Sequence, residues 1–115
     1  MLTQGQISHF ETFGYLVLRQ HFNAQEIATM KREAQEIYEE DRAGKPFEGE
    51  ETQYIMPFFE RRPFLSALPD DDRIYMIGED LLGPDFVLDG TEGRLRVGPT
   101  AWHGALPRAD AVRTV

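Results

Sequence analysis

Along the chain the apolar positions change period several times, and each change marks an element. Ile7, Phe10 and Phe13 recur at helical spacing. Thr3 and Gln6 fit a capping box, in which the hydroxyl and the amide each satisfy an orphan backbone N–H, and Leu2 and Ile7 occupy the hydrophobic-staple positions around it. Gly14 stands where a left-handed C-terminal cap is wanted, so a helix is predicted from Thr3 to Gly14. The run that follows, Tyr15-Leu16-Val17-Leu18-Arg19, is β-prone and bounded by Gly14 and the polar Gln20-His21. It predicts a short, mostly buried strand.

The helix-start signal then repeats. Asn23 and Glu26 make a second capping pair with Phe22 and Ile27 as the staple, and Ile27, Met30, Ala34, Ile37 and Tyr38 keep helical spacing. Lys31, Arg32, Glu33, Glu36, Glu39 and Glu40 read as the solvated face of this second helix. The polar stretch RAGKPFEGEET, residues 42–52, predicts an exposed loop. Tyr54-Ile55-Met56-Pro57-Phe58-Phe59 is apolar and aromatic but interrupted by proline, which fits an edge strand or a buried loop packed on the helices. Arg61 and Arg62 behind it either contact an anionic substrate or cofactor or cover the apolar residues with their stems; the second reading is the commoner one.

A third helix is predicted near Pro69-Asp70-Asp71-Asp72, where carboxylates favour the positive end of a helix dipole. Ile74, Ile77 and Leu81 share a face, and Gly83-Pro84 is the stop. Three adjacent aspartates also suggest a calcium or magnesium site, but the ligand spacing of an EF-hand is absent and the helix start explains them. Beyond Pro84 the pattern turns extended. Phe86–Asp89 and Arg94–Val97 flank Gly90-Thr91-Glu92-Gly93, which predicts a β-hairpin, and the glycines do not follow phosphate-loop spacing.

Composition narrows the class of partner. The 115 residues, 41% of them hydrophobic, suffice for one small domain with a core. Twelve basic against twenty acidic residues leave a net charge of -8, which argues against binding nucleic acid or an anionic membrane surface. The absence of cysteine excludes disulfides and thiolate metal sites. With no basic and apolar leader in MLTQGQISHF and no run of the roughly 20 apolar residues that a membrane helix needs, a cytoplasmic, membrane-free protein is expected.

These pieces in this order resemble the phytanoyl-CoA dioxygenase family of nonhaem iron and 2-oxoglutarate enzymes. The likeness is carried by LTQGQISHFETFGYLVLRQHFNAQEIATMKREAQE, by IGEDLLGPDFVLDG and by VGPTAWH, which together span most of Leu2 to His103. The resemblance implies a double-stranded β-helix, hydroxylation of a small organic substrate, and Fe(II) with 2-oxoglutarate as cofactors. Two histidines and one carboxylate on one face of the iron, from a His-x-Asp pair and a distal histidine, leave room for the 2-oxo acid and dioxygen.

Carried over position by position, the likeness assigns only His103, as a metal ligand. The carboxylate position is Ala105, Pro99 departs from the turn usual before the Trp-His pair, no histidine follows His103, and the family's later arginine has no counterpart. A His-x-Ala pair resembles the iron halogenases, which also need the distal histidine. Of the remaining histidines, His9 beside Phe10 and His21 after the first extended run lack ligand spacing with His103 and are expected to face solvent. Residues 1–97 hold 19 acidic and 10 basic residues, whereas 98–115 hold Asp110 against Arg108 and Arg113. That shift suggests a reading frame interrupted near Trp102-His103, or else an ordinary loose chain end.

The expected architecture is therefore α+β, with three helices packed on a partial antiparallel sheet resembling an incomplete double-stranded β-helix. Residues 1–103 form the N-terminal part of a dioxygenase-like domain, and 104–115 an irregular tail. Two functions remain open. One is a truncated oxygenase, inactive alone, with His103 as one iron ligand and no catalytic residue assigned. The other is a non-catalytic interaction module with apolar faces at Phe58, Phe59 and Phe64 left for a partner. Either predicts self-association or aggregation, because a partial sheet leaves edges unpaired, and a complementing chain stays open as a partner.

Overall fold

The computed structural model describes residues 1–46 and 52–96. Within them, local capping chemistry sets the helices. Helix α1 spans Gln4–Phe13, with Thr3 and Gln6 closing the reciprocal box and Gly14, at φ 79°, ending the helix by donating its N–H to the Phe10 carbonyl. Helix α2, Ala24–Arg42, repeats the device with Asn23 and Glu26 and ends on Ala43 in the left-handed region. Glycine would hold that last conformation at lower cost than alanine.

Tyr15–Leu18 forms no strand among the described residues, and none of its side chains is buried. The predicted buried strand is thus corrected to a connector between α1 and α2 without ladder partners among the described residues. β-branched and aromatic residues favour an extended backbone, yet a strand exists only where a second backbone takes up its hydrogen bonds. Its exposure nonetheless alternates, with Leu16 and Leu18 half-buried and Tyr15 and Val17 open to solvent.

The chain next forms strand β1, Thr52–Ile55, then a 3-10 turn at Phe59–Arg61 and a single-turn helix α3, Pro63–Ala67. A second 3-10 turn at Leu68–Asp70 leads into α4, Asp72–Leu82. Of the three aspartates, the middle one is the cap: the Asp71 side chain accepts from the Arg73 N–H, and Gly83 ends α4 as predicted. Helix α3 was not expected from the sequence. Pro63 suits its first position, where no N–H is needed.

Strand β2, Gly93–Arg96, pairs antiparallel with β1 in the register Thr52↔Arg96, Gln53↔Leu95, Tyr54↔Arg94 and Ile55↔Gly93. The predicted hairpin is corrected here, because Phe86–Asp89 forms no strand. Long-range contacts outcompete the local turn. The Phe86 ring packs on Tyr75 at 5.2 Å and closes over Gly78 on α4. Thr91 is buried and its Oγ1 accepts from the N–H groups of Phe58 and Phe59 at 3.0 and 3.1 Å, while its hydroxyl donates to Glu60 at 2.6 Å. Those bonds set the residues before β2 against the turn after β1. Gly93 then lies under the Phe58 ring and the Tyr38 hydroxyl, where a β-carbon would collide.

The core comprises Ile37 of α2, Ile55 of β1, Phe58, Leu65 of α3 and Leu68, with Phe22, Met30, Ala34, Tyr38, Phe59 and Phe64 packed around them. The expectation that Phe58, Phe59 and Phe64 are exposed for a partner is therefore overturned. Phe58 lies 5.1 Å from Tyr38 and 6.2 Å from Phe59, and removing such rings from water is worth about 1.5–3 kcal/mol each, so the helices take them up first. The described residues make an α+β arrangement of three longer helices, one short helix and a two-stranded antiparallel sheet. No helix among them is long and apolar enough to cross a membrane.

Candidate functional site

His103, the one residue assigned to a metal by resemblance, lies outside the described residues, as do Pro99, Trp102, Ala105 and the tail 104–115. The two histidines that the structure describes are packed, which corrects the expectation that they face solvent. His9, half-buried on α1, stacks 4.8 Å from Phe13 and meets Tyr15 edge-on at 5.2 Å. His21 sets its Nε2 2.7 Å from the Arg73 carbonyl and its ring edge-on to Phe22. A carbonyl can only accept, so that nitrogen carries a proton and cannot also ligate a metal. No group of three or more metal-ligating side chains is gathered among the described residues.

The most concentrated polar constellation joins the starts of α2 and α4. Arg73 bonds Glu26 through both terminal nitrogens, at 3.0 and 2.5 Å. It reaches Asp71 at 2.9 and 2.8 Å. The guanidinium also lies 4.5 Å over the Phe22 ring. Glu26 is at once the third residue of a capping box and one jaw of this clamp. The hydrogen bonds from Arg73 hold Asp71 down to about 2 and lower Glu26 as well, while Asp71 and Glu26 together raise Arg73. All three groups stay charged at neutral pH. None is poised to exchange a proton, and the clamp is a tie between helices.

A second set surrounds Glu33, which is 2% exposed although the sequence placed it on the solvated face. Its carboxylate accepts from the Phe64 and Leu65 N–H groups at 3.1 and 2.9 Å. Arg62, the residue before α3, offers no side-chain cap, so α2 supplies one from a distance. Glu33 sits three residues after Met30 and four before Ile37, which sets it beside the buried stripe, but that spacing does not reveal the distant donors it caps. Nearby, Arg62 bonds Glu36 at 3.2 Å and Glu40 at 2.6 Å, and Arg61 donates to the Pro57 carbonyl at 2.9 Å. Glu40 first and then Glu36 raise Arg62, whose charge serves the protein's own acidic face rather than an anionic substrate.

An open groove of about 550 Å³ lies between α1 and the connector after it, bordered by Thr3, Gln6, His9, Tyr15, Leu16 and Val17. Thr3 and Gln6 are already engaged in the capping box. The groove therefore offers a mixed apolar and polar wall with the His9 imidazole and the Tyr15 ring, short of the convergent polar groups that orient a small substrate. No protein-family model, no curated protein and no solved structure matches the chain.

Proposed function

We propose that the chain is the N-terminal part of a phytanoyl-CoA dioxygenase-like protein, related to oxygenases that hydroxylate a small organic substrate with Fe(II) and 2-oxoglutarate. By itself it does not turn over. The observation that carries this reading is the arrangement of the first 42 residues: two helices opened by reciprocal capping boxes, joined through left-handed Gly14 and a connector of alternating exposure. The first and longest of the three stretches that carry the family resemblance, residues 2–36, lies within them. The two-stranded sheet and the unladdered connector, taken among the described residues, suit a larger two-sheet barrel in which both continue.

In this reading His103 is one iron ligand and a complementing chain supplies the others, in a cytoplasmic setting. The test is an anaerobic Fe(II) titration of the assembled protein with and without 2-oxoglutarate. Metal uptake that needs 2-oxoglutarate and is abolished by His103→Ala is the expected result. Equal uptake by the parent and His103→Ala overturns it. A second reading, an interaction module without catalysis, is favoured by the exposure of Phe13 and Val17 at 59% and 61%. Such a module is indifferent to His103→Ala and loses its partner on Val17→Asp.

A further inference from the structure

We draw no further inference here: the strongest candidate, the open groove between α1 and the connector after it with Phe13, Tyr15 and Val17 exposed beside it, is an unpartnered face, and nothing in the structure shows what covers it.

Discussion

Replacing Glu33 with alanine removes the only side-chain cap that α3 has among the described residues. The carboxylate is 2% exposed and accepts two backbone hydrogen bonds, from Phe64 at 3.1 Å and from Leu65 at 2.9 Å. Hydrogen bonds to a charged group are worth about 1.5–3 kcal/mol each net, so losing the pair at the lower figure costs about 3 kcal/mol. Leu65 is itself 4% exposed, which leaves its N–H little access to replacement water. With a urea m-value of about 1.5 kcal/mol per M for a small domain, the unfolding midpoint falls by about 2 M. The assay is urea unfolding followed by circular dichroism at neutral pH, with Glu39→Ala as the control. Glu39 lies on the same helix, is exposed and bonds only Gln35 among the contacts described for it, so its loss changes stability by less than about 0.5 kcal/mol. Glu33→Gln keeps the shape and one acceptor and falls between the two. A midpoint for Glu33→Ala within about 0.3 M of the control refutes the reasoning, because it means the carboxylate spends its time in solvent.

Three other perturbations probe separate joints. Gly93→Ala drives a β-carbon into the Phe58 ring and the Tyr38 hydroxyl and is expected to destabilise by about 1–3 kcal/mol, whereas Gly90→Ala meets nothing within 4 Å and is expected to leave the urea midpoint unchanged. Thr91→Val strands the buried Phe58 N–H, and the Phe59 N–H with it, and is expected to cost about 2 kcal/mol in the same assay; Thr91→Ser, which retains the hydroxyl, recovers most of it. Asp71 is held at about 2 by Arg73 against an ordinary value of 3.8, so its contribution is present above the ordinary value and is lost as pH falls from roughly 5 towards 2. Unfolding midpoints of the parent and Asp71→Asn should therefore differ at pH 6 and converge by pH 2; a constant gap would remove Arg73 as the cause.

Where a signal and its partner lie within a few residues, the sequence was sufficient. The boxes Thr3–Gln6 and Asn23–Glu26 and the left-handed Gly14 all act over one helical turn, and each is found where its residues foretold. The stop at Gly83 is of the same kind. Failures began where the partner was distant. Glu33 caps backbone groups 31 and 32 residues away, and no local pattern distinguishes a glutamate that finds such donors from one that stays solvated. The Gly90–Gly93 loop has hairpin chemistry, but Thr91 is committed to Phe58 and Phe59, more than 30 residues back, and β2 follows it to β1. The aromatic run at Phe58 and Phe59 looked like a docking face because its cover comes from Tyr38 and the rest of α2.

The site was less legible than the fold. Of the residues with metal-binding chemistry, His9 has Phe13 at its i+4 position, a pairing that spacing alone allows. The bond between His21 and the Arg73 carbonyl spans 52 residues and could not be foreseen. Arg73 itself carried no motif. Its role follows from the meeting of two helix starts, each marked in the sequence by its own cap and neither marked as the other's neighbour.

The most direct test of the family reading is to sequence the source DNA through and well past the codon for Val115. The reading requires a frame overlapping Trp102-His103 that continues with an aspartate two residues after the histidine, followed later by a histidine and an arginine. Should none of the frames there encode that set, catalysis by this chain loses its support, and its exposed face around Phe13 and Val17 becomes the part whose function has to be found.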